Sequence, residues 1–245
     1  MVTTLADDTI TTYLRQGFVH IPGIITPDEA AEFREAALAC AQRLQSYHTG
    51  KVFTQLVNVW REDETMRRLT RHPNIGAVAQ RLAGMPLRLW HDHILIKQPH
   101  NNAPTEFHQD QPFWPHGTSR HTLSAWIALI DVPVERGCMT FIPGSHSRTD
   151  LRPQNLSDAH DLFSLSPDLI WQPRVTIPLR AGDCTFHHGY CAHMATSNAT
   201  DEPRVAHVVI FMDAATTYSG KKHVVTDPLQ LEQGQPLDGE LFPLV

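Results

Sequence analysis

The chain has 245 residues, 41% of them apolar, which is enough to bury a full core as one domain. It carries 20 Lys and Arg against 26 Asp and Glu, and it shows no basic block, which argues against a nucleic-acid-binding protein. No run approaches the roughly 18 apolar residues of a membrane span, and the first residues lack the apolar centre of a signal peptide. The four cysteines form no C-x-x-C pair, so we expect free thiols in a reducing, cytoplasmic compartment.

The first part of the chain, to about residue 85, has mainly helical patterns. The longest predicted helix starts at a capping box of Thr26 and Glu29, with Pro27 at the first helical position. The stretch "GFVHIPGII", residues 17–25, precedes it and favours a strand. Three other helices are predicted over Asp8–Gly17, Asp63–Arg71 and Ile75–Leu82.

After Pro86 the pattern changes to short apolar or alternating runs separated by Pro, Gly and Asn. Strands at this spacing, after a set of helices, predict a mainly β fold with flanking helices around a double-stranded β-helix, a jelly-roll or cupin-like core. We therefore predict one domain over 1–245, with a helical part at about 1–85, a core at about 86–215 and a tail at 216–245. The segment Arg148–Arg174 has few strand signals, and its length is typical of a lid or binding loop. The predicted strands lie in "LRLWHDHILIKQP", "LSAWIALIDVP", "MTFIPGS", "RVTIPL", "DCTFHHG" and "RVAHVVIFMDA".

A possible metal site begins at "FHQDQPFWP", where His108 and Asp110 are two residues apart. On an extended strand such residues point to the same face, so the imidazole and the carboxylate could reach one ion. The pair alone is a weak signal and needs a third ligand further along the chain. Three histidines compete for that role: His187, His188 and His193. Two imidazoles and one carboxylate form the facial triad that suits non-haem Fe(II) and leaves open positions.

Arg204 follows His193 by 11 residues and opens the last clear strand. Its planar guanidinium could pair with the remote carboxylate of an acid bound to the same metal.

Together these segments resemble the phytanoyl-CoA dioxygenase family of Fe(II)- and 2-oxoglutarate-dependent oxygenases. The similarity runs from about Phe18 to the terminal "LFPLV", and the spacing from His108 to Trp126 also agrees with the family. The motifs that carry it are "KQPH" (Lys97–His100), "HQD" (His108–Asp110), "AWIAL" (Ala125–Leu129), "ERGCMTFIPGSH" (Glu135–His146) and "AGDCTFHHGYCAHMATSNATDEPR" (Ala181–Arg204).

The resemblance implies a role for each matching residue. His108, Asp110 and His193 would bind Fe(II), which leaves His187 and His188 to pack around the site. The expected 2-oxoglutarate contacts are Arg204 at the far carboxylate, Trp126 along the co-substrate, His93, Gln109 and Ala195. Ala195 departs from the family, which often has a serine there, and Thr196 or Asn198 could supply the missing hydrogen bond.

The resemblance also implies the reaction. A small organic molecule would be hydroxylated at an unactivated C–H bond, using O2 and releasing succinate and CO2 from 2-oxoglutarate. Asp110 argues against the related halogenases, which have a small residue at that position. Desaturation and other oxidations stay open, as do the substrate and the oligomeric state.

Substrate contacts are predicted on two segments. Phe113 and Trp114 follow the metal pair and would wall the pocket, although ordinary core packing explains them equally well. The stretch "FTQLVNVWRED" would contribute Gln55, Asn58 and Trp60.

Three other interpretations of the sequence are possible. One is a catalytically silent jelly-roll binding protein, and another is a zinc- or manganese-dependent hydrolase or isomerase on a cupin-like barrel. The third, a zinc site using Cys184, Cys191 and nearby histidines, is disfavoured because structural zinc sites usually show close Cys pairs.

Overall fold

The computed structural model describes residues 5–44, 52–119 and 121–245, and the backbone at 48–49. The predicted capping box is present, because the Thr26 hydroxyl accepts from the Glu29 N–H and the Glu29 carboxylate accepts from the Thr26 N–H. Gly17 ends the first helix in the left-handed conformation, at φ 83°. The helices are α1 (Asp7–Gln16), α2 (Pro27–Arg43), α3 (Glu64–Thr70), α4 (Pro73–Ala83) and α5 (Asp161–Leu165).

All the predicted strands are present, together with shorter strands that the sequence patterns did not show. The strands are β1 (Phe18–Ile21), β2 (His48–Thr49), β3 (Thr54–Val57), β4 (Leu87–Lys97), β5 (Thr105–His108), β6 (Thr122–Ala128), β7 (Met139–Phe141), β8 (Val175–Ile177), β9 (Cys184–His188), β10 (His193–Ala195) and β11 (Arg204–Asp213).

The strands form two antiparallel sheets that face each other. The large sheet has the order β1-β9-β6-β11-β4-β3-β2, and the small sheet has the order β5-β10-β7-β8. The long central pair, β4 and β11, runs in register from Arg204 opposite Lys97 to Asp213 opposite Leu87, with one bulge. This arrangement confirms the predicted double-stranded β-helix.

Apolar side chains on the two faces of the large sheet serve different layers. Leu89, Ile94 and Phe211 pack outward with the helices α1 to α4, while Val208 and Ile210 pack in the layer between the sheets. Helices therefore cover the outer face of the large sheet. The inner face is left to pack against the small sheet and to line the space between them.

Two parts of the chain differ from the simple division into helical part, core and tail. Strands β1 and β3 come from the first 85 residues but join the large sheet at β9 and β4. Within Arg148–Arg174, α5 and a 3₁₀ turn replace the expected loop, and Leu162 and Leu169 pack with Phe107 in a small core of their own. Whether this segment acts as a lid stays a prediction.

Candidate active site

A cavity of about 530 Å³ opens between the two sheets. It is lined by residues of both sheets, of the insertion and of the tail: Phe53, Gln55, Val57, His91, His93, Leu95, Thr105, His108, Asp110, Phe113, Trp114, Trp126, Met139, Leu156, His187, His193, Ala195, Arg204, Val208, Ile210, His223 and Val224.

His108 and His193 stand directly opposite each other on the small sheet, because β5 and β10 pair in that register. The Nδ1 of His108 donates to the Glu106 carbonyl over 2.7 Å, and the Nδ1 of His193 donates to the Cys191 carbonyl over 2.9 Å. These bonds fix both rings and leave both Nε2 atoms as acceptors. Such support at the other ring nitrogen is usual for metal-binding histidines.

Asp110 completes the group from the end of β5. Its Oδ1 lies 3.5 Å from the Nε2 of His108 and 3.7 Å from the Nε2 of His193. One possible ligand atom from each of the three residues lies within 4.8 Å of the other two. Among the described residues, no other set of three His, Cys, Asp or Glu side chains is grouped in this way. Two imidazoles and one carboxylate suit non-haem iron, so the predicted ligand set fits the metal.

The way Asp110 reaches the site differs from the prediction. The sequence argument placed His108 and Asp110 on one extended strand, but β5 ends at His108 and Asp110 is in the helical region at φ −75° and ψ −46°. The carboxylate converges with the imidazoles because the chain turns into a 3₁₀ segment here.

The charge states of the group match metal binding. Burial raises the pKa of Asp110, but nearby His193 and hydrogen bonds with His108 and His187 outweigh it and hold this pKa well below its usual range. Burial lowers the pKa of His193 to about 3, so its ring is neutral at physiological pH. A neutral imidazole and an ionised carboxylate are the forms that bind a cation.

Arg204 supplies the positive charge of the cavity. The residue is 2% exposed, and its guanidinium carbon lies 5.3 Å from the ring centre of Trp126. Burial lowers its pKa to about 10, so it remains a cation, yet no carboxylate of the described residues pairs with it. A buried cation without a counter-ion is costly, so this position is suited to an acidic ligand.

Three other predicted co-substrate or substrate residues also line the cavity. Ala195 lies two residues beyond His193 on β10, and the methyl group offers no hydrogen bond. His93 stacks on His91 with ring centres 4.4 Å apart, and its Nδ1 lies 2.9 Å from the Nε2 of Gln55.

Gln109 is a correction, because it does not line the cavity. Its side-chain amide donates to the carbonyls of Arg148 and Tyr190, each over 2.7 Å, and its backbone N–H donates to Gln154. Gln109 directly follows the last residue of β5, and its side chain points away from the cavity. It ties the segment Arg148–Arg174 to the end of β5 instead of facing a ligand.

Asn58 and Trp60 are also corrections, since neither lines the cavity. Strand β3 alternates so that Gln55 and Val57 face inward, but Asn58 is left-handed at φ 58° and starts a 3₁₀ turn. Trp60 is thereby placed in the outer core under the helices.

Phe113 and Trp114 line the cavity, as predicted, and His91, His223 and Val224 are among the lining residues that sequence reasoning missed. His91 precedes His93 by two residues on β4, and this period of two could have revealed it. His223 and Val224 belong to the tail, where the sequence gives no sign that the chain returns to the site.

The comparisons with known proteins agree with this geometry. A profile of the phytanoyl-CoA dioxygenase (PhyH) family matches residues 13–206. The chain belongs to this family. The mouse (Mus musculus) phytanoyl-CoA dioxygenase domain-containing protein 1 is 34% identical over 162 residues, which are 63% of this chain and 55% of the mouse protein. The chain thus spans little more than half the length of that relative.

Two solved structures resemble nearly the whole chain. The non-haem α-ketoglutarate-dependent carbocyclase SnoK from nogalamycin biosynthesis is 41% identical, with a TM-score of 0.89 and coverage of 99% of this chain and 97% of that one. The epimerase SnoN, in complex with Fe3+, α-ketoglutarate and nogalamycin RO, is 39% identical, with a TM-score of 0.86 and coverage of 97% of each chain. The cofactors predicted from the sequence, iron and 2-oxoglutarate, are confirmed by this likeness and by the ligand set.

No described helix is long and apolar enough to cross a membrane. The cytoplasmic location and the single-domain organisation stay predictions.

Proposed function

We propose that this protein is an Fe(II)- and 2-oxoglutarate-dependent dioxygenase that oxidises a C–H bond of a small organic molecule. The observation that carries the proposal is the pairing of two sites in one cavity. A group of His108, Asp110 and His193 suited to iron lies in the same cavity as Arg204, a buried cation with no acidic partner among the described residues. A hydrolase or isomerase that uses a metal alone has no need for the second feature.

The chain's own residues would bind and orient the co-substrate. Arg204 offers a planar fork to the far carboxylate of 2-oxoglutarate, and Trp126 fixes the guanidinium from one face. Fe(II), 2-oxoglutarate and O2 would supply the oxidising chemistry, with release of succinate and CO2. The protein's contribution is binding, orientation and exclusion of water.

Hydroxylation is the proposed outcome, since an ionised Asp110 occupies the position that is small in the related halogenases. Ring closure or epimerisation is a second candidate, favoured by the two structures that are about 40% identical and are named as a carbocyclase and an epimerase.

The part of the substrate that enters the cavity is proposed to be uncharged. Among the described residues that line the cavity, Arg204 is the only basic residue apart from histidines and Asp110 is the only acidic residue. Burial keeps the pKa of His91 well below the usual range and lowers that of His223 to about 4, so these rings are neutral donors and acceptors. Trp114 adds an aromatic wall, so a neutral ring system with hydroxyl or carbonyl groups suits this end.

Succinate production tests the proposal. Protein purified without oxygen would be given Fe(II), 2-oxoglutarate and then O2, with no added substrate, because uncoupled turnover alone yields succinate. We expect iron-dependent succinate from the wild type, none from His108→Ala and much less from Arg204→Ala. His100→Ala is the matched control, because His100 pairs with Asp201 on the surface.

The outcomes separate the alternatives. Absence of succinate together with absence of 2-oxoglutarate binding by calorimetry would overturn the proposal in favour of a hydrolase or isomerase. Binding of 2-oxoglutarate without succinate would be the result for a well-coupled enzyme that turns over only with its substrate, and also for a catalytically silent binding protein. Once a substrate stimulates succinate release, mass spectrometry of the product decides the reaction: hydroxylation adds an oxygen atom, ring closure removes two hydrogens, and epimerisation leaves the mass unchanged.

A further inference from the structure

The two oxygens of the Asp110 carboxylate have different surroundings. Oδ1 faces the Nε2 atoms of His108 and His193 at 3.5 and 3.7 Å. Oδ2 faces away from them, toward the Ser124 hydroxyl at 3.2 Å and the Nε2 of His187 at 3.4 Å. One oxygen is therefore turned to the ion position, and the other is held by two potential donors.

Both donors come from the opposite sheet. Ser124 on β6 and His187 on β9 are directly paired in the register of the large sheet, so their side chains emerge side by side on its inner face. Both residues are buried, at 0% and 1% exposed. They reach across the sandwich to a carboxylate that is anchored at the end of β5. The large sheet thus sets the orientation of a ligand whose backbone directly follows β5 of the small sheet.

We propose that His187, aided by Ser124, is a positioning residue that restricts Asp110 to binding the metal through Oδ1 alone. This inference rests on the proposed function. A carboxylate free to rotate could bind one ion through both oxygens and would then occupy a coordination position that the co-substrate or O2 requires. Donors on Oδ2 prevent this and keep the open positions of a facial triad.

His187 has the features of a positioning residue and lacks those of a ligand. Its Nε2 is engaged with Oδ2, and it lies outside the group of donors within 4.8 Å of one another. Its Nδ1 is buried with no partner among the described residues, whereas the Nδ1 atoms of His108 and His193 are each fixed by a backbone carbonyl. The ring is instead held by packing against Phe141 and His193.

The test uses metal binding by the apoprotein, so that it does not depend on turnover. Co(II) would be titrated into the wild type, His187→Ala, His187→Gln and Ser124→Ala, with the visible Co(II) spectrum recorded at saturation. Loss of an outer hydrogen-bond partner typically weakens metal binding 10- to 100-fold, so we expect about that for His187→Ala and a smaller loss for Ser124→Ala. His187→Gln keeps an N–H donor and should recover much of the loss.

His188→Ala is the matched control. His188 is the next residue on β9, but its ring packs against His121 and Tyr190 and makes no contact with Asp110. It should bind Co(II) within about threefold of the wild type, well below the shift expected for an outer partner. His193→Ala, which removes a ligand, gives the reference for complete loss. If His187→Ala does not fold, as judged by circular dichroism, His187→Gln and Ser124→Ala carry the comparison.

Two results would overturn the inference. If His187→Ala (or, should it not fold, Ser124→Ala) binds Co(II) as tightly as the wild type with the same spectrum, His187 does not position Asp110. If His187→Gln loses Co(II) as fully as His193→Ala, His187 is a ligand instead. Failure of the proposed function is distinguishable, because wild-type protein that binds Co(II) but not 2-oxoglutarate would contradict that proposal and leave this comparison intact. Wild-type protein that binds no Co(II) would refute both.

Discussion

Replacement of Arg204 by methionine should separate ligand binding from folding. Methionine is close to arginine in length and can still pack along Trp126, but it has neither charge nor donors. Two charge-assisted hydrogen bonds to a carboxylate contribute about 1.5–3 kcal/mol each. Since about 1.4 kcal/mol corresponds to tenfold in affinity, Arg204→Met should raise the dissociation constant for 2-oxoglutarate by at least about a hundredfold.

The same substitution should leave folding nearly unchanged. Arg204 is 2% exposed and has no acidic partner among the described residues, so its removal relieves a buried charge. Loss of its contact with Trp126 offsets part of this gain, by about 0.5–2 kcal/mol. We expect the midpoint of thermal unfolding of the apoprotein to stay within a few degrees of the wild type.

Calorimetry of 2-oxoglutarate binding to Co(II)-loaded protein, without oxygen, measures the effect. Arg68→Met is the control, because Arg68 lies on α3, pairs with Glu32 and is 52% exposed in its side chain. A dissociation constant for Arg204→Met within about threefold of the wild type would refute the assignment of Arg204 to the co-substrate carboxylate, since even one lost charge-assisted hydrogen bond should cost more.

Three further predictions concern the metal, the co-substrate and the pH dependence of folding. Mn(II) at a hundred times its dissociation constant should stabilise the folded wild type by about 2.7 kcal/mol and so raise its thermal unfolding midpoint in differential scanning fluorimetry. The same concentration should leave the midpoint of Asp110→Ala unchanged. Ala195→Ser should tighten 2-oxoglutarate binding about two- to tenfold in calorimetry, since it adds one hydrogen-bonding hydroxyl to the cavity wall; weaker binding would mean that the hydroxyl does not face the co-substrate. Burial raises the pKa of Asp92 from 3.8 to about 7, so the folded protein keeps a proton that the unfolded chain releases, and stability should fall as pH rises between these values. In urea unfolding, the free energy of unfolding of Asp92→Asn should rise relative to that of the wild type between pH 4 and 7, by up to roughly 1.4 kcal/mol per pH unit. The exposed Asp201→Asn should keep the pH dependence of the wild type.

The parts of the fold that could be predicted from the sequence are those set by local patterns, such as helix caps and alternating apolar residues. The Thr26 capping box, the glycine after α1 and the alternating runs of β4 and β11 each formed the expected element. The grouping of His108, Asp110, His193 and Arg204 around one cavity was also predicted, because a short motif and a fixed spacing carry the family resemblance, and the roles of these residues stay predictions.

The residues that sequence reasoning missed or misplaced depend on tertiary geometry. Gln109 was predicted to contact 2-oxoglutarate because of its place in the motif. Whether its side chain faces the cavity depends on how the chain turns after β5, which the motif does not show. Asn58 follows the last residue of β3 in a left-handed conformation, so Trp60 packs under the helices instead of lining the cavity. His223 reaches the site because the tail returns to the segment after Asp110, where Lys221 donates to the carbonyl of Pro112.

The charges in the cavity argue that metal and co-substrate bind together. Apart from its histidines, the cavity of the apoprotein holds one carboxylate, Asp110, and one guanidinium, Arg204, whose formal charges cancel. A divalent metal alone would leave the cavity strongly positive, and a dianionic 2-oxoglutarate alone would leave it strongly negative. Bound together they restore neutrality, and buried charge is tolerated only when it is balanced.

Each ligand should therefore increase the affinity of the protein for the other ligand by the same factor. Calorimetric titration of 2-oxoglutarate with and without Co(II), and of Co(II) with and without 2-oxoglutarate, measures both factors. Independent binding, with both factors near one, would show that the cavity is screened by solvent and that this charge balance does not govern assembly of the site.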